Sequence, residues 1–302
     1  MKLSFFAAMA ACLTLTLYAT AAERATTVRR TGLLSSPATN AQSVQMIERG
    51  TDLTILQQQN SGNEPWVRVS IAIPGATQNA PAHEVTGWLQ AKPVVSAATA
   101  NGDEIVYGEA VDSEQQAEER DGRKGAAQDA MRLYYEVAQL FPNSPFAGEA
   151  LWRSADIRRQ LARAERKPLQ DQYLNEVISR FPHTKWADMA AFDLLDSQLC
   201  GDWNGLPDCP SKEADAYERY AREHPQSPKL GEAIFNAAFR LASVADMYRI
   251  QGDKDKSSAA HNKALALAQE LSGNAVQGEW SYRATNLIYK LQQNIPVYGV
   301  PE

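Results

Sequence analysis

Leu140-Phe141-Pro142-Asn143-Ser144-Pro145-Phe146 recurs in altered form as Arg180-Phe181-Pro182-His183-Thr184-Lys185-Trp186 and as Glu223-His224-Pro225-Gln226-Ser227-Pro228-Lys229. In each copy an aromatic or imidazole residue closes one amphipathic segment, and proline stops it by lacking an amide hydrogen and crowding the preceding turn. A hydroxyl residue two places on can cap the next helix by accepting a hydrogen bond from its free amides. In two copies a further proline, Pro145 or Pro228, stands where the first helical residue is expected and a missing amide costs nothing. The three stop prolines are 40 and 43 residues apart. That is the length of a helical hairpin with its connection, and such a period marks a stacked array of helix pairs that presents surface for binding.

Helical periodicity flanks every hinge. The segments are Ala126 to Leu140 with Phe146 to Leu161, Leu169 to Arg180 with Trp186 to Leu199, and Lys212 to Glu223 with Lys229 to Ile250. Leu230, Ile234, Ala237, Leu241, Val244 and Tyr248 repeat at intervals of three and four, as one face of a helix must. A fourth pair, Lys256 to Leu271 and Ala275 to Gln293, follows Gly252 and Gly273 as stops. Alanines such as Ala150, Ala190 and Ala237 allow close helix approach, and Tyr135, Tyr173 and Tyr217 are expected at one equivalent position of successive first helices. This alternation resembles tetratricopeptide-type repeats. The Phe-Pro-x-Ser/Thr hinge with an upstream Tyr is similar to that of the tetratricopeptide lipoproteins of the outer-membrane barrel-assembly machinery and related periplasmic repeat proteins. The resemblance implies an all-α helical-repeat solenoid over residues 124–295, followed by a tail at 296–302.

Ahead of the helices the period changes to that of strands. Ser43 to Ile47, Asp52 to Gln57, Trp66 to Ile71 and Thr86 to Gln90 are separated by Gly50, by Asn60-Ser61-Gly62-Asn63 and by a longer loop with Pro74, Gly75 and Pro81. Leu34-Ser35-Ser36-Pro37, Gly50-Thr51 with Leu53-Thr54-Ile55-Leu56, Pro65-Trp66-Val67-Arg68-Val69 and Gly87-Trp88-Leu89 together resemble the bacterial SH3-like domain of exported proteins. That resemblance implies a small all-β SH3-like barrel over residues 23–95, with peptide or wall recognition. Trp66 and Trp88 are its candidate ligand contacts; core packing is the competing role for both.

Lys2, the apolar run Leu3 to Leu17 and the small residues Ala19-Thr20-Ala21 read as a secretory signal over residues 1–22. The run falls short of the roughly 20 residues a membrane span requires, so a transmembrane protein is not expected. Met9-Ala10-Ala11-Cys12 resembles a lipoprotein processing site, which makes a lipid anchor at Cys12 the second reading of the same segment. Export leaves Cys200 and Cys209, an even pair that reads as a disulfide stapling the turn-rich loop between two helices and contributing about 2–3 kcal/mol.

The net charge of −6 is concentrated. Between Ser96 and Gly125 eight acids face three bases, so residues 96–123 read as an extended, self-repelling linker, with Asp112-Ser113 and Gln116 resembling a capping box that would start a helix in its C-terminal part. Neither flanking segment has the basic stripe that phosphate binding requires, so nucleic acid is not an expected partner.

The inventory of reactive groups points away from catalysis. The four histidines, His83, His183, His224 and His261, fall in loops, hinges and a helix, and no zinc, nucleophile-elbow or phosphate-loop motif occurs. The expected protein is a non-enzymatic exported cell-envelope adaptor without cofactors, periplasmic or envelope-associated. Its repeats would bind an envelope protein or peptide and its barrel a peptide or wall ligand. The alternative is a peptidoglycan-binding module with the repeats as spacer or dimerisation unit. First helices of such repeats line the concave face, which makes Arg132, Gln139, Gln172, Glu176, Arg219 and Arg222 the candidate partner contacts.

Overall fold

The computed structural model describes residues 23–73, 81–273 and 278–299. The expected signal segment with Cys12, residues 74–80 of the long loop, Ala275 and the last three residues of the tail lie outside the described residues. The chain divides into two compact units, Met1–Thr99 and Ala100–Glu302.

In the first unit β1 (Glu23–Thr27), β2 (Thr31–Leu34), β3 (Ser43–Ile47), β4 (Asp52–Ser61), β5 (Glu64–Ile73), β6 (His83–Gln90) and β7 (Val94–Ser96) form one antiparallel sheet. Its order is β3-β2-β6-β5-β4-β1-β7. This overturns the expected small SH3-like barrel. Among the described residues β3 pairs with β2 alone and β7 with β1 alone, so the sheet remains open at both edges. The three strands missing from the expected set, β1, β2 and β7, widen it, with β7 added outside β1 through Ala25 opposite Ser96. Alternation along the strands turns Leu33, Ile47, Leu53, Val67, Val69, Ile71 and Leu89 into one core. Gly87 permits this packing, since a Cβ there would lie 2.5 Å from Leu33 Cγ and 2.9 Å from the Leu34 carbonyl oxygen.

The second unit is helical: α1 (Gly102–Glu118), α2 (Ala126–Leu140), α3 (Ala147–Ala164), α4 (Gln172–Arg180), α5 (Lys185–Ser197), α6 (Asp208–Glu223), α7 (Leu230–Gln251), α8 (Lys254–Ser272) and α9 (Glu279–Gln292). Helices adjacent in sequence are adjacent in space, so α2–α3, α4–α5, α6–α7 and α8–α9 are stacked hairpins.

The three hinges adopt one backbone conformation. Phe141, Phe181 and His224 have φ, ψ of −128°, 61°, then −125°, 51°, then −125°, 59°. Each donates its amide to the carbonyl four residues back, on Val137, Val177 and Tyr220, at 2.9 to 3.0 Å. The next residue is a proline, which can donate nothing further. Thr184 caps α5 as expected, its Oγ1 accepting from Ala187 N at 3.3 Å. Ser144 and Ser227 act one step earlier, accepting from Phe146 N at 3.2 Å and Lys229 N at 3.0 Å. A tight turn closed by Ala147 N to Ser144 O and Leu230 N to Ser227 O intervenes, so Pro145 and Pro228 precede their helices rather than opening them.

Counting from the hinge proline gives the packing rows. Eight residues before it stand Tyr134, Leu174 and Tyr217, and eight after it Ala150, Ala190 and Ala233, all 0–1 % exposed. Leu174 and Ala190 share one core cluster and Tyr217 and Ala233 another, so large residues of the first helix pack with alanines of the second. The expected equivalence of Tyr135, Tyr173 and Tyr217 is corrected accordingly: Tyr135 and Tyr173 are half-buried and meet edge to face at 6.2 Å, one place off the row that holds Tyr217.

The segment expected to be an extended linker contains α1. Its Val106, Ala110 and Ser113 are buried, and Tyr107 packs on Tyr134 at 5.5 Å and on Phe146 at 4.9 Å. Its acids reach the repeats: Asp103 accepts from Ser144 Oγ at 2.7 Å, and Glu114 from Tyr134 Oη at 2.6 Å.

Leu174 fills its row completely, so Leu174→Ala should destabilise the helical unit by about 2–5 kcal/mol. Urea unfolding followed by helical circular dichroism measures this; a cost below about 1 kcal/mol would contradict the packing rows.

Candidate functional site

Side chains lock successive hairpins together, and several sequence candidates are among them. Gln139 on α2 donates to Glu176 Oε1 on α4 at 3.2 Å. Arg180 donates to the same oxygen at 2.7 Å and to the Ala138 carbonyl at 2.6 Å. Gln139 and Glu176 therefore join first helix to first helix. On the second helices Trp152 stacks on Trp186 at 5.6 Å and donates to Asp193 at 3.1 Å, while the buried Arg159 donates to the Asp193 carbonyl at 2.9 Å. Burial raises the Asp193 carboxyl above its usual range, against the opposing pull of Trp152 and Arg159. Arg132 is held by Asp129. These residues set the stacking angle and are engaged within the array.

The next joint replaces the hinge phenylalanine by His224. Its Nδ1 bonds Asp188 Oδ1 at 2.8 Å, and its ring stacks on Tyr220 at 4.5 Å. Tyr220 donates to the Asp188 carbonyl at 2.8 Å and lies 2.6 Å from Ser227 Oγ. His224 takes the backbone conformation of Phe141 and Phe181, and its imidazole adds a polar tie to α5.

Beyond this joint the first helices open a cleft of about 340 Å³ among α6, α7 and α8. Ala221, Leu230, Ile234 and Leu267 supply apolar lining, with Glu218, Arg222 and Glu270 beside them. Lys263 pairs with Glu218 at 2.6 Å and ties α8 to α6. Of the sequence candidates Arg222 lines this cleft, Arg219 is exposed on the same helix, and Gln172 is exposed on α4. The apolar lining residues Ile234 and Leu267 were not expected as partner contacts, because the 3.6-residue stripe to which Ile234 belongs reads as core.

The disulfide Cys200–Cys209 is present and organises a buried polar hub. Glu213, one turn after Cys209 on α6, is 4 % exposed. It accepts from Cys200 N at 2.9 Å, Trp203 Nε1 at 3.3 Å and Arg240 Nε at 2.6 Å. The Arg240 guanidinium also lies 4.5 Å from the Tyr217 ring centre. The chain after α9 returns to the hub: Gly205 N donates to Tyr298 Oη at 3.0 Å, and Val297 N and Tyr298 N donate to Asp246 Oδ2 at 2.7 and 3.2 Å. Cys200, Cys209 and Glu213 bring three potential ligand atoms within 4.8 Å of one another. The sulfurs are bonded to each other and leave no thiolate to offer a metal. Glu213 occupies the place of Ala130 in α2, twelve residues before the hinge proline. The same position ahead of the second hinge is Gln170, so the contrast with Ala130 was the available signal.

In the β unit Trp66 is 3 % exposed and serves the core, so it offers no face to a ligand. Trp88 is half-buried on β6, opposite Leu34 and Arg68.

No family model matches the chain, and no curated protein matches it in sequence. Among solved structures it is similar to residues 41 to the end of MamA from Desulfovibrio magneticus RS-1, with 13 % identity over 67 % of this chain and 100 % of that one, at a TM-score of 0.31. It is also similar to the de novo designed helical repeat protein DHR64, with 17 % identity over 65 % and 95 % of the two chains, at a TM-score of 0.24. With scores this low neither bears on the reading of this chain, and the repeat architecture rests on its own hinges and rows.

The joints contain phenols that resist ionisation. Burial first, then the hydrogen bond with Glu149, pushes Tyr107 up to about 12, and burial with the Glu114 contact holds Tyr134 well above the ordinary phenol range. Burial likewise raises Tyr220. An unfolded chain releases such protons near pH 10, so the stability these phenols supply is intact below pH 10 and is lost as pH rises towards and past about 12. Phenolate absorbance should therefore rise together with loss of helical circular dichroism. Full titration of all tyrosines while the helices persist would contradict their burial.

Proposed function

We propose that the chain is a non-catalytic scaffold whose helical unit holds a segment of another protein along the cleft of α6, α7 and α8. The carrying observation is the combination of apolar lining, Leu230, Ile234 and Leu267, with charged groups of both signs, Arg222, Glu218 and Glu270. Apolar side chains of a peptide segment would supply affinity there, and the flanking charges would fix its register. The stacked hairpins keep these groups in place, so little ordering cost falls on the scaffold side.

The setting we infer is the cell envelope, in an exported adaptor. A disulfide persists where thiols are oxidised, and Cys200–Cys209 fits that environment. No described helix is long and apolar enough to cross a membrane. The wall-polymer alternative is not favoured by any observation, given that Trp66 is buried.

Peptides selected on the full chain from a random library should bind the cleft. Ile234→Glu and Leu267→Glu, with circular dichroism unchanged, should weaken them at least tenfold, or about 1.4 kcal/mol. Equal binding by both variants would remove the cleft from the account.

A further inference from the structure

We propose that the chain associates end to end with copies of itself, the outward face of α9 in one copy seating on the outward face of α1 in the next. This goes beyond the partner cleft and uses different surfaces. Because helices pack in sequence order, α1 and α9 are the two ends of the array, where soluble repeat arrays ordinarily place polar caps. The α9 end is not such a cap. On α9 Tyr282 is 79 % and Tyr289 59 % exposed. Seven residues apart, they stand two turns from each other on one face. Arg283 adjoins them, its guanidinium 4.7 Å from the Phe235 ring centre and 4.5 Å from that of Trp280. Lys290 follows, and a cleft of about 200 Å³ lined by Phe239 and Leu287 opens between Arg283 and Lys290.

The opposite end is complementary. α1 has six acids and no base along its length. Its exposed positions include Ile105 and Val111, about 120° apart around the helix on the two flanks of its outward side, Ile105 in line with Asp112 and Val111 in line with Glu104. Aliphatic groups framed by carboxylates on one end thus match tyrosines framed by Arg283 and Lys290 on the other. Tyrosine and arginine are the residues most often found to dominate interface energies, and opposite charge steers the encounter. The two surfaces differ, so the contact is head to tail and grows by addition unless its rotation closes a ring.

The test is sedimentation velocity of the full chain over a wide concentration range. The expected result is a weight-average mass that rises with concentration and falls with added salt, through screening of the charged rims. Tyr282→Glu and Ile105→Lys should each weaken association at least tenfold. Mixed in equal amounts they should form a dimer and stop there, because each retains the one face the other has lost. Val111→Lys and Tyr289→Glu replace either variant that folds poorly. A wild-type chain that stays monomeric throughout overturns the proposal, as does undiminished association of either variant. A mixture that remains monomeric overturns it too, since it would mean that the faces do not meet.

Discussion

One backbone conformation, used three times, governs the helical unit. At Phe141, Phe181 and His224 the chain leaves the helix with φ near −125° and ψ near 55°, after the last amide has reached back to its carbonyl and before a proline that cannot continue the ladder. The turn that follows fixes where the second helix begins. Residues eight before and eight after the proline are therefore buried as large and small partners, Tyr134, Leu174 and Tyr217 on the first helices, Ala150, Ala190 and Ala233 on the second. Packing at interior density tolerates few departures from such pairs, so a local stop signal becomes a long-range register.

The repeats then diverge where they meet one another. The first two are joined by Gln139, Glu176 and Arg180 along the first helices and by Trp152, Trp186 and Asp193 along the second. The next joint uses His224 and Asp188. In the third hairpin a buried glutamate, Glu213, replaces an alanine and gathers Arg240, Trp203 and the disulfide-closed loop. A buried carboxylate is tolerated only with its hydrogen bonds made, and here both oxygens have partners. The C-terminal chain, through Tyr298 and Asp246, is fastened to the same hub. Tight joints on the first two repeats and an open cleft on the last two leave the apolar lining at Leu230, Ile234 and Leu267, where the proposed partner segment would lie.

The sequence was most legible where structure is decided locally. Proline stops and 3.6-residue stripes placed the bounds of α2 at Ala126–Leu140, and period-two alternation placed β3 at Ser43–Ile47, because both depend on neighbouring residues alone. Strands β1, β2 and β7 were missed because they are only 5, 4 and 3 residues long, and what makes them strands is pairing across long intervals, as between Ala25 and Ser96. For the same reason an open sheet could not be told from a barrel, since closure depends on whether edge strands find each other. Helix α1 was hidden by its acids: its buried residues, Gly102, Val106, Ala110 and Ser113, include a single large hydrophobe, a weak signal beside six carboxylates. Cysteine parity gave the disulfide. Glu213, Ile234 and Leu267 were not legible as site residues because their roles follow from which helices converge on them.

Residue-resolved amide hydrogen exchange on the native full chain tests the central claim most directly. The account predicts slow exchange at Phe141, Phe181 and His224, whose amides close the first helices, and fast exchange at Asn143, His183 and Gln226 immediately beyond the prolines, with protection resuming inside α3, α5 and α7. Unbroken protection across any of the three prolines, or the absence of protection on either side of them, would contradict it.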